Sequence, residues 1–94
     1  MIYLAKQSYY KVIRKVSSIN KIEQEEKRTM YLMRDKLVTA YREFLLQDVL
    51  DLSFRRIGDK GGLLYIHTIH GLYSYHVKTS PTEFIYECKK QLIQ

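Results

Sequence analysis

The stretch Gly61-Gly62-Leu63-Leu64-Tyr65-Ile66-His67-Thr68-Ile69-His70-Gly71-Leu72-Tyr73-Ser74-Tyr75-His76-Val77-Lys78, followed by Ser80-Pro81-Thr82-Glu83, decides the fold class. Two runs of β-branched and aromatic residues flank His70-Gly71, and such runs favour strands. With a two-residue turn at His70-Gly71, Ile69 pairs with Leu72 and His67 with Ser74. One face then carries Leu64, Ile66, Thr68, Tyr73, Tyr75 and Val77 and points to the core. The other carries Tyr65, His67, Ile69, Leu72, Ser74 and His76. A helix follows over Pro81–Ile93: Ser80 caps the free N–H groups, Pro81 suits the first helical position and Glu83 completes a capping box. Phe84, Ile85, Cys88 and Leu92 form one apolar stripe, which packs on a sheet.

Working back from this unit, Leu50, Leu52 and Phe54 alternate with Asp51, Ser53 and Arg55, the period of a half-buried strand. Gly58-Asp59-Lys60-Gly61-Gly62 reads as a loop, because glycine adopts positive φ cheaply. Further upstream, Met30-Tyr31-Leu32-Met33 precedes the charged turn Arg34-Asp35-Lys36. Alternation along Leu37–Leu46 puts Val38, Ala40 and Phe44 on one side. Residues 9–22 read two ways. Tyr9, Val12, Ile13, Val16 and Ile19 have helical spacing, while Tyr10, Val12, Arg14 and Val16 alternate as in a strand over 9–17, with polar Asn20–Arg28 as its exit loop. The expected fold is α+β: a bent antiparallel sheet or partly open barrel of five to six strands, capped by a C-terminal helix.

A chain of 94 residues makes one domain, and at 46% hydrophobic and 28% charged its composition is that of a globular protein. A domain this small buries only about 60–65% of the surface its unfolded chain exposes, so a partner or self-association would add stability. No apolar run approaches the roughly 20 residues a membrane helix needs. Lys6 and Ser8 interrupt Ile2-Tyr3-Leu4-Ala5 before it could form a signal-peptide core. The lone Cys88 cannot make an internal disulfide, which suits a reducing cytoplasm.

The net charge of +6 is uneven. Residues 1–22 hold Lys6, Lys11, Arg14, Lys15 and Lys21 and no acid, whereas the remainder is nearly balanced. These five cations make residues 1–28 a basic N-terminal segment of the single domain. They are the candidate contacts for an anionic membrane surface or nucleic acid, against the plainer reading of a solvated face.

The stretches Leu37–Phe44, Asp48–Arg56 and Gly61–Tyr65, leading through the hairpin to the helix, resemble the pleckstrin-homology-like (PH-like) superfamily in the form found in small bacterial proteins. The resemblance covers roughly Thr29 to Gln94. It implies a strongly bent sheet closed at one end by the C-terminal helix, and a scaffold that binds peptides, proteins or membrane surfaces and is rarely catalytic. Some small bacterial proteins of this fold act as immunity or regulatory factors at the membrane. Lipid-binding members carry a Trp in the C-terminal helix and a basic cluster on the first two strands. This chain has no Trp, so Phe84 or Tyr86 would fill that role, and Arg14 and Lys15 match the cluster if residues 9–17 are the first strand.

The chemistry-bearing residues do not assemble into a catalytic pattern. His67 and His70 are three apart and point to opposite faces. His67 and His76 share the outer face diagonally, but zinc would need two further ligands. Cys88 lies on the buried stripe with no activating partner, and the Gly58–Gly62 loop lacks the strand-to-helix context of a phosphate loop. No cofactor, metal or small-molecule substrate is expected. Nine tyrosines among sixteen basic residues could stack single-stranded bases, although strands favour Tyr in any case. The expectation is a non-catalytic cytoplasmic interaction module for a protein or peptide partner, of regulatory or immunity type. Tyr65, His67, Ile69, Leu72 and His76 form the partner face, which could also support a weak homodimer. The alternative is peripheral binding to an anionic membrane or nucleic acid through the basic segment.

Overall fold

A computed structural model describes residues 3–16, 21–59 and 61–92 of the chain, and along 13–16 and 21–24 it describes the backbone only. Seven strands and one helix follow in order: β1 (Ala5–Val16), β2 (Lys21–Leu32), β3 (Lys36–Val38), β4 (Glu43–Leu45), β5 (Val49–Arg56), β6 (Gly62–Thr68), β7 (Gly71–Val77) and α1 (Thr82–Leu92). The strands form one antiparallel sheet in the order β4-β3-β2-β1-β7-β6-β5. β4 and β5 lie at opposite ends of that order, yet only the single 3-10 turn Leu46–Asp48 separates them in the chain. A turn that short spans about 6 Å, so the sheet must curl until its two edges approach. They do not pair, and the sheet stays open.

Alternation decides what fills the curl. Gly62, Leu64, Ile66 and Thr68 are buried while Leu63, Tyr65 and His67 between them are partly exposed. Leu37 and Phe44 face one another across β3 and β4, and Met30 and Leu32 line the interior from β2. Helix α1 packs its buried Phe84 and Cys88 against β5, β1 and the 3-10 turn. Lys89 reaches Asp51 of β5 at 3.5 Å.

Several expectations are corrected. There are seven strands, two of them three residues long. The run Leu37–Leu46 is split by a turn with no Gly, Pro or Asn to announce it. The Thr39 backbone N–H and hydroxyl both donate to the Arg42 carbonyl, at 2.8 and 3.1 Å, and these bonds close it. Leu37 and Thr39 therefore face inward, and Ala40 is exposed. The polar segment read as the exit loop Asn20–Arg28 is, over its described part, strand β2; Asn20 lies outside the described residues. Its partner β1 supplies the missing pattern, with Glu26 opposite Lys11 and Glu23 opposite Arg14. In β5, a bulge between Val49 and Asp51 buries Val49 and turns Leu50 outward, leaving Leu50 65% exposed.

The β6–β7 turn also moves. Thr68 pairs with Gly71 and His67 with Leu72, so Ile69-His70 form the loop. The Thr68 hydroxyl accepts from the His70 N–H at 3.0 Å, and Gly71 takes φ 133°. Shifting a turn by one residue moves the register by two, so every side chain keeps its expected face. However, His76 now lies opposite Leu63, four residues from His67 and about 13 Å away along the strand, so the two are not diagonal neighbours. At the helix start, the Ile85 N–H donates to the Pro81 carbonyl at 2.8 Å, while the Ser80 hydroxyl meets that of Thr82 at 2.6 Å. Ser80 thus bonds a side chain and not the free backbone N–H groups. Ile2, Ser17, Lys60 and Ile93 lie outside the described residues.

Two glycines set up a stability test. A Cβ on Gly62 would overlap the Arg55 carbonyl on the neighbouring strand, whereas one on Gly58 (φ 64°) meets open space. Gly62→Ala should cost about 3 kcal/mol through forced strand separation, and Gly58→Ala about 1 kcal/mol through backbone strain alone. Urea unfolding of both variants checks the order, and equal costs would contradict the packing at Gly62.

Candidate functional site

The helix closes one end of the curled sheet and the other end is open. A cleft of about 580 Å³ lies at that mouth, lined from β1 (Tyr9 to Val12), β2 (Arg28), the β3–β4 turn (Thr39, Tyr41, Arg42) and β7 (Ser74 to His76). Among the described residues its charged lining is Lys11, Arg28 and Arg42, with His76 beside them; Glu26 pairs with Arg28 without itself lining the cleft.

Each group is held by something identifiable. Tyr9 is a buried β1 residue whose phenol oxygen accepts the Ala40 N–H at 3.0 Å, which leaves its own proton free to donate. This bond ties the β3–β4 turn to the centre of the sheet. Tyr9 also meets Tyr75 edge-on, with ring centroids 5.0 Å apart. Burial pushes the Tyr75 phenol above the ordinary tyrosine range, opposed by a hydrogen bond with Thr39 and the positive charge of Arg42, so Tyr75 keeps its proton at neutral pH. Arg28 lies 4.6 Å over the Tyr41 ring and pairs with Glu26 at 3.3 Å. Arg42 lies 4.6 Å over Tyr73 and 5.9 Å from Phe44, and among the described residues it has no acidic partner. Stacking holds a guanidinium in place while leaving its edge donors accessible, so Arg42 is preset for an anionic group, whereas Arg28 already gives its Nε–H to Glu26.

The residues expected to contact a partner are divided by the fold. Tyr65, His67, Ile69, Leu72 and His76 do share the outer face, with Ile69 58% and Leu72 57% exposed. Of the five, only His76 lines the mouth cleft. Of the five basic residues proposed for an anionic surface, Lys11 lies in the cleft and Lys6 near the other end, 5.9 Å over Tyr3. The side chains of Arg14, Lys15 and Lys21 lie outside the described residues. Sequence reading missed Arg28, Arg42, Tyr75 and Thr39 as a group. They come from three separate elements, and only the clustering of Tyr41-Arg42 in an otherwise apolar run hinted at them.

Other chemistry is sparse among the described residues. No group of three or more His, Cys, Asp or Glu side chains could hold a metal ion. Ser53 and His67 are diagonal cross-strand neighbours 3.0 Å apart, and neither lines the mouth cleft. No helix is long and apolar enough to cross a membrane. No protein-family model matches the chain, and no curated protein is significantly similar to it.

Cys88 is fully buried against the sheet, and burial pushes its thiol up to about 12. The native thiol should resist Ellman's reagent at neutral pH and react on unfolding. Because the unfolded thiol ionises near its ordinary value of 9.0, the unfolded state loses a proton first as pH rises, and stability should fall between about pH 9 and 12. Urea midpoints measured from pH 8 to 11 should decline, less steeply in Cys88→Ala. Rapid native labelling would show the helix is not seated as described.

Proposed function

We propose that this chain is a non-catalytic interaction module of PH-like type, working in the cytoplasm, and that it holds an acidic segment of a protein partner in the mouth cleft. The observation that carries this reading is the cleft's lining: two stacked arginines, a lysine and a histidine among tyrosines, with no carboxylate among the described lining residues. Its size falls within the range of pockets that bury small ligands or a few peptide residues. Tyrosine and arginine are also the residues that dominate binding energy in protein interfaces. The PH-like assignment draws support from the curled sheet with a helix across one end, and from β1 and β2 being the first two strands, where Arg14 and Lys15 fall. Phe84, 3% exposed, takes the packing position of the helix, whereas Tyr86 is 62% exposed.

The alternative, an anionic membrane or nucleic acid gripped by residues 1–22, is less favoured. β1 is a central strand and not an appendage, and β2 sets Glu23 and Glu26 opposite Arg14 and Lys11. Deleting 1–22 would remove the middle of the sheet, so the two readings must be separated by substitution.

A labelled decapeptide of alternating Glu and Thr should bind the full chain, and its Gln-Thr counterpart should not. Arg42→Ala and Arg28→Ala should each weaken binding about tenfold, and added salt should weaken it further. Equal binding of the neutral peptide, or no effect of either substitution, would overturn the proposal. Binding of anionic vesicles or an oligonucleotide that is lost in a Lys11, Arg14, Lys15 triple Gln variant, with the peptide inert, would favour the alternative.

A further inference from the structure

Beyond Tyr10 the sheet splits. β1 runs on to Val16 and β7 begins at Gly71, yet the two strands are matched only at Tyr10 and His76. Continuing that register would set Lys11 opposite Tyr75 and Val12 opposite Ser74, and neither pair forms. On its other side β7 is paired with β6 along its whole length. A strand paired on one side presents the N–H and C=O groups of alternate residues on the other. Among the described residues, no backbone hydrogen bond outside the ladders reaches 72–75. The open edge of β7 therefore borders the mouth cleft, whose walls are Lys11 and Val12 on one side and Ser74 and Tyr75 on the other.

Resting on the acidic-partner reading above, we infer that the occupant binds as an added strand: an extended acidic segment runs antiparallel to β7 along Gly71–Tyr75, in the lane that β1 vacates. Five residues of strand reach about 17 Å, enough to fill the open edge. Main-chain hydrogen bonds would supply affinity without regard to sequence, and alternate side chains would supply selectivity. Those on the inner face fall beside Tyr73 and Tyr75, where Arg42 is stacked on Tyr73 and Arg28 faces the cleft from β2. A carboxylate on that face would pair with Arg42, which has no acidic partner among the described residues, and the next would compete with Glu26 for Arg28. Those on the outer face lie beside Ser74 and His76, which are exposed. The charge of the lining selects an acidic segment over a second copy of β1, which carries Lys11, Arg14 and Lys15 and would set like charges together.

The test uses the full chain, the Glu-Thr decapeptide and two versions of it, N-methylated at the odd or the even amides. N-methylation keeps the charges and removes the donors. One methylated version should lose at least tenfold in affinity while the other is nearly unaffected, and the unmodified peptide should slow amide exchange on alternate residues of 72–75. If both methylated versions bind as well as the parent, strand addition is wrong although the cleft still binds acidic peptide. If the parent itself fails to bind, both readings fall.

Discussion

The one-turn link Leu46–Asp48 between β4 and β5 is the constraint on which the rest of the fold depends. It joins the first and last strands of the sheet order, so the sheet cannot be flat. The link is also tied to both halves: the Leu46 N–H donates to the Asp35 carbonyl at 2.9 Å, and the Asp48 carbonyl accepts from Ile69 at 3.0 Å. Its buried Leu46 and the neighbouring Val49 are covered by α1 at one end of the curl. Only one end is closed in this way. The opposite end must be walled by loops and strand edges, and there polar groups meet solvent.

That geometry explains why the cations gather at the mouth. Inward-facing positions deep in the sheet are mostly apolar, such as Met30 and Leu32 on β2 and Tyr9 on β1, with the buried Gln7 an exception. Two residues further along each strand the same faces reach the opening, and the inward positions become Arg28 and Lys11, with Glu26 opposite Lys11 and paired with Arg28. A charged residue is tolerated there because its stem packs on tyrosine while its head stays wet. The alternation that builds the core thus changes chemistry where the core ends. Arg42 arrives from the β3–β4 turn by a different route, held by Thr39 and by the ring of Tyr73.

Legibility in the sequence followed how local each signal was. The β6–β7 faces and the stripe Phe84, Ile85, Cys88 and Leu92 could be read because alternation and helical spacing are local. β2 could not, since its polar segment gains its strand character from β1 across the hairpin. The same separation misled the charge reading. Counting cations over residues 1–22 omits Glu23, Glu25 and Glu26, which the register brings opposite Arg14, Val12 and Lys11. Glu25 also pairs with Lys78, which lies 4.5 Å over Tyr10. The turn at Ile69-His70 evaded prediction for another reason: it needs no positive φ within the loop, because Gly71 just after it absorbs the strain. The cleft was the least legible feature, being assembled from four elements with no shared motif.

The split between β1 and β7 follows from the same long hairpin. β1 and β2 are matched over twelve positions, from Ala5 with Leu32 to Val16 with Lys21, while β7 is only seven residues long and is bound to β6 throughout. Strands in a sheet twist relative to one another by about 20–25°, so two long strands coiling together diverge from a neighbour that follows a different pair. Contact at Tyr10 and His76 is where the two ribbons cross, and beyond it each keeps its own twist. Closing the gap would require unwinding a hairpin of twelve matched pairs, whereas leaving it open costs only the solvation of a few edge amides. The opening is thus a consequence of strand length and twist, and the cations of the mouth lie where that twist leaves room.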